Sequence, residues 1–175
     1  MYMNLRRNSL ILLIIFFGFN YAYSEVPHFV DFKKILNQSS AGKKAQEYLK
    51  NKLENGIKDL KKREKSIQEE EKKVIQQKKV ISSEDYKKKV GELRTKVSKL
   101  QKDRNDLLQS VAKERKKARD ELLKNLNPIL KEYMQEKKIR VVLDKKNILA
   151  GDEDLEITKD IMTLLDKKLK SIKLN

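Results

Sequence analysis

The residues that could carry catalytic or metal chemistry in this chain are few, and their spacing is unfavourable. His28 is the one histidine, so no histidine dyad can be proposed, and cysteine is absent. The three glutamates at 69–71 would point in different directions on a helix, and the acidic residues at 152–154 lack the spacing of a calcium loop. The five glycines are scattered and form no phosphate-binding loop. We therefore predict no enzyme activity, no metal and no cofactor.

Basic side chains, by contrast, are abundant and grouped. The formal net charge is +16, and segments 41–81 and 84–134 each contribute +6 of it. Lysine runs lie on both sides of the polar segment 81–85, at Lys78, Lys79, Lys87, Lys88 and Lys89. Such an excess predicts attraction to acidic proteins, anionic lipid or nucleic acid, and weakening of that attraction by salt.

Two consecutive segments carry mostly apolar residues at alternating steps of three and four, the heptad pattern of paired helices. In the first segment the repeat falls at Leu49, Leu53, Ile57, Leu60, Glu64, Ile67, Glu71 and Val74. In the second it falls at Tyr86, Val90, Leu93, Val97, Leu100, Arg104, Leu107 and Val111. The break at 81–85 is long enough only for a tight reversal. The sequence therefore predicts an antiparallel helical-hairpin (coiled-coil) arm over residues 41–134, roughly 60–75 Å long, with its tip near residues 79–86.

The remaining segments, 25–40 and 135–175, predict a small α+β body from which the arm projects. The expected elements are strands at 28–32, 139–144 and 148–150 and an amphipathic helix at 158–169. Because such short strands are not stable alone, several copies are expected to pool them into an oligomerisation body. Its predicted apolar residues are Val30, Phe32, Val141, Val142, Leu143, Ile148 and Leu149. The predicted fold class is thus mostly α with this small body.

Four residues mark special points of the arm helices. Ser40 is expected to cap the first helix, and Pro128 to kink or restart the second. Gly56 and Gly91 lie inside the helices, where glycine costs ~1 kcal/mol of helix propensity. We therefore expect the two glycines to loosen the arm.

The N-terminus has the pattern of a secretory signal peptide over residues 1–24. Two arginines precede an apolar stretch at 9–19, and the small residues after it predict cleavage between Ser24 and Glu25. An uncleaved membrane anchor is the alternative, but the apolar stretch is shorter than the ~20 residues that span a bilayer. The sequence therefore predicts an exported protein.

The two ends of the exported chain carry a family resemblance. Residues 30–46 and 141–161 resemble the two signature blocks of the Skp/OmpH family of periplasmic chaperones. The runs SSAGKKA at 39–45 and LEIT at 155–158 are similar to the start of the long arm and of the last helix in that family. The resemblance implies a periplasmic homotrimer whose arms hold unfolded outer-membrane proteins without ATP.

On that basis the expected function is that of an ATP-independent holdase chaperone, and the expected partners are unfolded outer-membrane proteins. Candidate contacts to these clients lie near the tip, at Lys78, Lys79, Val80, Ile81, Tyr86, Lys87, Lys88 and Lys89. Packing in the helix seam is the alternative role for Tyr86. Anionic lipid or lipopolysaccharide is a further candidate partner, whereas export argues against nucleic acid.

Two other functions stay open from the sequence. One is an exported coiled-coil spacer or adaptor that binds a folded partner through the hairpin tip. The other is a structural protein that binds anionic lipid and has no chaperone role.

Overall fold

The computed structural model describes residues 26–174, so the predicted signal peptide and its cleavage site lie outside the described residues. The elements in chain order are β1 (His28–Val30), α1 (Phe32–Gln38), α2 (Ser40–Gln77), α3 (Ser83–Glu136), β2 (Val142–Asp144) and α4 (Thr158–Lys168). Two 3-10 turns, Lys145–Asn147 and Glu153–Leu155, lie between β2 and α4. Within residues 26–174, every helix is too short or too polar to cross a bilayer.

Helices α2 and α3 form the antiparallel hairpin that the heptads predict, and the predicted fold class is confirmed. Their 38 and 54 residues extend about 57 Å and about 81 Å at 1.5 Å per residue. The cap of α2 is Ser39 rather than the predicted Ser40, because Ser39 has extended backbone and its Oγ accepts the Gly42 N–H at 3.2 Å. Ser40 is already the first helical residue.

The seam between α2 and α3 is closed along only part of the predicted repeat. The buried heptad positions are Leu49, Leu60, Val74, Leu100 and Val111. Ile57 and Val97 remain 40% and 44% exposed. Gly56 has a packing role that its helix propensity does not indicate, because a Cβ there would lie 2.6 Å from both Cδ atoms of Leu107. Gly91, in contrast, has open space where its Cβ would be.

The body is held by one hydrophobic core, to which every helix and strand β1 contribute. Its buried members are Val30, Ile35, Ala41, Leu122, Leu126, Ile129, Tyr133, Ile139, Ile157, Ile161 and Leu165. Four of these belong to the last fifteen residues of α3, so the returning arm helix is itself a wall of the body. The predicted helix at 158–169 is confirmed as α4, with Ile161 and Leu165 fully buried.

Pro128 does not restart the second arm helix as expected, because α3 continues through it to Glu136. Proline removes the N–H that would bond to the carbonyl four residues earlier, on Lys124. Lys124 is exposed, so water can satisfy that carbonyl. The neighbouring Leu126 and Ile129 are buried in the core and hold the helix on both sides of the proline.

Strand β1 is the central element of a very small sheet. It pairs in parallel with β2, from His28 opposite Val142 to Val30 opposite Asp144. On its other side, the Phe29 carbonyl accepts the Ile157 N–H at 2.9 Å. The long excursion through α2 and α3 is therefore the crossover connection between two parallel strands.

All three strand predictions were wrong in detail. The strand expected at 148–150 is absent, because these residues follow the turn at 145–147 without pairing to β1 or β2. The strand expected at 139–144 begins only at Val142, because the Ile139 N–H still bonds to the Met134 carbonyl at 2.8 Å at the end of α3. The first strand ends at Val30 rather than at residue 32, because the Asp31 side chain accepts the Lys34 N–H at 2.7 Å and caps α1.

Gly42 allows the start of α2 to pass directly over the end of α1. A Cβ at this position would lie 2.2 Å from the Leu36 carbonyl oxygen, which is backbone and cannot swing away. The contact joins the arm to the body at the point where Ser39 and Ala41 are fully buried.

We predict that Gly42→Ala lowers the free energy of unfolding by about 1–3 kcal/mol, because the added methyl group forces α1 and α2 apart. Urea unfolding followed by far-ultraviolet circular dichroism, at one protein concentration, measures the change. Gly91→Ala is the matched control, and it should raise stability by up to about 1 kcal/mol because its site is open. Equal effects of the two substitutions would contradict the account of the α1–α2 contact.

Candidate functional site

Salt bridges across the arm set the register between α2 and α3. The four pairs are Lys52–Glu114, Arg63–Asp103, Glu64–Arg104 and Glu70–Lys96. In three of the pairs the two partners are equally distant along the chain from Ser83, and in Glu64–Arg104 they are equally distant from Glu84. All four pairs therefore fit one antiparallel alignment of the two helices. The Arg63 guanidinium lies 2.6 Å from Asp103, and its hydrogen bond to that carboxylate raises the pKa of Arg63. The same register positions every side chain near the tip.

The reversal that forms the tip occupies residues 78–82. Its backbone is tied to the end of α2, because Gln77 O accepts N–H groups from Val80 at 2.9 Å and from Ile81 at 3.1 Å. The side chain of Val80 is 82% exposed, whereas Ile81 is half-buried. The tip therefore presents an apolar side chain directly to solvent.

The predicted tip lysines lie on both sides of the reversal along the chain, and one of them contacts an aromatic ring. Lys78 Nζ lies 5.8 Å from the centroid of the Tyr86 ring, within the range of a cation–π contact. Lys79, Lys87 and Lys88 are exposed, and Lys89 is half-buried. The eight predicted contact residues are thus close in space, and their role as client contacts stays a prediction.

An open apolar groove runs between α2 and α3 just behind the tip, and sequence reasoning missed it. We call it the tip groove, and its volume is about 520 Å³. It is lined by Ile67, Glu71, Val74, Ile75, Tyr86, Val90, Leu93, Arg94, Val97 and Ser98. Tyr86 is the one predicted contact residue in its wall. The signal that could have revealed the groove is Glu71, a carboxylate at a seam position where an apolar side chain would close the gap.

The body carries a second exposed apolar surface, around strand β2. Val141, Leu143 and Leu149 are 48%, 42% and 105% exposed. The other predicted body residues differ: Val30 is buried in the core, and Phe32, Val142 and Ile148 are half-buried. The seven residues therefore divide into those that hold the single chain together and those that it leaves uncovered.

Polar contacts in the body fix the joint between the sheet and α4. The Thr158 hydroxyl accepts the Asp31 N–H and donates to the Glu156 carboxylate, both at 2.8 Å. Lys145 donates to the same carboxylate, and this hydrogen bond, with the one from Thr158, lowers the pKa of Glu156. Among residues 26–174, no three acidic or histidine side chains are grouped so as to hold a metal ion.

Tyr133 makes the main polar contact between α3 and α4. Its hydroxyl donates to Asp160 Oδ2 at 2.6 Å, and its ring lies in the hydrophobic core. Burial of the phenol, together with the neighbouring carboxylate, raises the pKa of Tyr133 to about 12.

A long helical hairpin on a small α+β body is the fold of a known crystal structure. That chain is described as an OmpH-like outer membrane chaperone from Caulobacter crescentus CB15, and the two folds agree with a TM-score of 0.78. The likeness covers 86% of the present chain and 90% of the other at 19% sequence identity, so it shows a common fold. No curated protein sequence matches the chain significantly.

The family model for "Outer membrane protein (OmpH-like)" matches residues 28–165. The chain therefore belongs to the OmpH-like family, and the resemblance noted in its two end segments is confirmed.

The raised pKa of Tyr133 predicts a loss of stability in alkali. The folded-state pKa of about 12 exceeds the ordinary value of 10, so the folded state holds the proton more tightly. The stabilisation is complete below pH 10 and is lost as pH rises through 12. Between these pH values we expect wild type to lose about 1 kcal/mol more than Tyr133→Phe, allowing for solvent screening.

Phenolate absorbance measures this pKa directly, since the difference between wild type and Tyr133→Phe isolates the one phenol. Asp160→Asn is the companion variant: it keeps the ring buried but removes the neighbouring charge, so the pKa of Tyr133 should fall part of the way towards 10. A Tyr133 phenol that titrates near pH 10 in wild type would refute the contact with Asp160.

Proposed function

We propose that this protein is an ATP-independent holdase chaperone of the periplasm, which binds unfolded outer-membrane proteins between the basic arms of a homotrimer. Membership of the OmpH-like family supports a chaperone role. The observation that carries the proposal is the arm itself, where apolar side chains stay exposed within a strongly basic surface.

The charge of the arm gives the first step of binding. Segments 41–81 and 84–134 each carry +6, and most of these side chains are exposed on α2 and α3. A positive potential of this extent attracts acidic unfolded chains over about a Debye length, which is ~10 Å at 0.1 M salt. Capture should therefore weaken as salt increases.

Retention then comes from many weak contacts. Val80 at the tip, together with Ile57 and Ile75 along the arm, offers apolar surface, and the lysine stems add aliphatic surface beside them. Each such contact is worth little alone, and none demands a particular client sequence. A client held in this way can leave without any input of chemical energy.

Assembly into a trimer is supported by the uncovered surface of the body. The sheet has three-residue strands, and a sheet this small is not stable alone. Val141, Leu143 and Leu149 expose apolar area beside β2 that further copies of the chain would cover. The arms of such an assembly would project from a shared hub.

The holdase proposal is tested by removing four positive charges from the tip in one variant and four from the body in another. Changing Lys78, Lys79, Lys87 and Lys88 together to Gln removes four exposed charges near the tip. Light scattering of an outer-membrane β-barrel protein diluted from urea then measures protection. We expect the tip variant to need about tenfold more chaperone than wild type for equal protection.

Two controls accompany this test. Changing Lys33, Lys159, Lys167 and Lys168 to Gln removes the same number of exposed charges from the body, and it should leave protection within about twofold of wild type. Changing the four tip lysines to Arg should restore full protection, because a holdase needs the charge and not the sequence. Loss of function in the Arg variant would favour a spacer with a sequence-specific tip. Failure of wild type to protect any client, with binding to anionic vesicles, would favour the lipid-binding alternative.

Trimer assembly is tested by introducing one negative charge into the uncovered surface of the body. Leu143→Glu should shift the mature protein to monomer in sedimentation velocity, because a carboxylate buried between copies is costly to desolvate. Leu108→Glu is the matched control, since Leu108 is also exposed but lies on the arm, and it should leave the assembly unchanged. An unchanged sedimentation coefficient for Leu143→Glu would contradict this use of the surface.

A further inference from the structure

We infer that the tip groove is a binding site for an extended, acidic segment of polypeptide, which inserts a large apolar or aromatic side chain between α2 and α3. The inference rests on the proposed holdase function and deepens it, because it names the kind of client segment that one arm recognises by itself.

The tip groove is an opening in the seam next to a part of the seam that is closed. Further from the tip, Leu60 and Leu100 are 5% and 6% exposed, so the helices pack tightly there. In the tip groove, Ile75 and Val97 are 59% and 44% exposed. The hairpin therefore holds an apolar surface open between two helices whose register is fixed by the cross-arm salt bridges on its body side.

The seam opens here because a carboxylate occupies a seam position. Glu71 lies in the wall of the tip groove together with Val90 and Leu93, and burying its ionised carboxylate against such apolar side chains would be costly. The helices cannot close over Glu71 without that cost. The volume of about 520 Å³ is in the range of ligand-binding pockets.

The charge around the tip groove selects an acidic occupant. Between Glu71 and Ser98 the chain has nine basic residues and four acidic ones. Lys96 is paired with Glu70, but Arg94, in the wall, has no carboxylate within 4 Å among the described residues. A guanidinium in this position can bind a carboxylate of the occupant through two parallel hydrogen bonds.

The wall chemistry favours polypeptide over anionic lipid. Glu71 and Ser98 place hydrogen-bond acceptors beside the apolar surface, and the amide N–H groups of an extended chain can donate to them. The headgroup of an anionic lipid brings no such backbone donors. An apolar side chain that packs on Val97, with an aspartate or glutamate next to it on Arg94, matches both the apolar surface and the guanidinium of the wall.

The test is fluorescence anisotropy with the mature protein and a short fluorescein-labelled peptide in which aspartate alternates with phenylalanine. Val97→Gln makes the apolar wall polar, and Arg94→Gln removes the charge; each should weaken binding by about five- to tenfold. Leu108→Gln and Arg115→Gln make the same changes at exposed positions of α3 outside the tip groove, and each should stay within about twofold of wild type. A peptide with lysine in place of aspartate should bind at least about tenfold more weakly.

Three results would overturn the inference. The first two are equal weakening of binding by the groove variants and their controls, and equal binding of the aspartate and lysine peptides. The third is displacement of the peptide by phosphatidylglycerol vesicles, if the Val97→Gln variant also binds those vesicles less well than wild type does. The last result would assign the tip groove to lipid. Light scattering of a full-length client, run alongside, separates the two proposals. Protection without groove-dependent peptide binding overturns only the inference, whereas groove-dependent binding without protection contradicts only the holdase.

Discussion

The narrow contact between α2 and α3 is the constraint on which the arm depends. Both helices carry a large excess of positive charge, and like charges on neighbouring helices repel each other. Buried apolar side chains such as Leu60 and Leu100, and ion pairs such as Arg63 with Asp103, hold the two helices together against that repulsion. Because most helical stability in proteins comes from packing of one face, loss of this contact would release both helices and disperse the charge that they present.

The body has a different role, which is to anchor an arm much longer than the body itself. Its core takes four side chains from the end of α3, and Gly42 brings the start of α2 against α1, so both arm helices are fixed at their base. The sheet adds little apolar contact of its own and leaves Leu143 and Leu149 uncovered. A chain with a well-anchored arm and an incomplete body is consistent with a role in which several copies share one hub.

The sequence predicted the elements that a long repeating pattern specifies, but not the features of the structure that a single side-chain contact determines. Sixteen heptad positions and a polar break predicted the hairpin, and the spacing of Ile161 and Leu165 predicted α4. The first strand ended two residues earlier than expected because the Asp31 side chain accepts the Lys34 N–H and caps α1. The tip groove was missed because Glu71 fits the heptad spacing, although a carboxylate cannot fill the seam as an apolar side chain would. Close approaches such as Leu107 onto Gly56 depend on the register, which no local pattern specifies.

The central claim is that several copies of this chain hold one unfolded protein between basic arms. The mass of the purified mature protein, measured under native conditions alone and mixed with an outer-membrane protein diluted from urea, tests it most directly. The account predicts a trimer that forms a discrete soluble complex with the client, and less of that complex at high salt. A monomer or dimer that leaves the client to aggregate would contradict it.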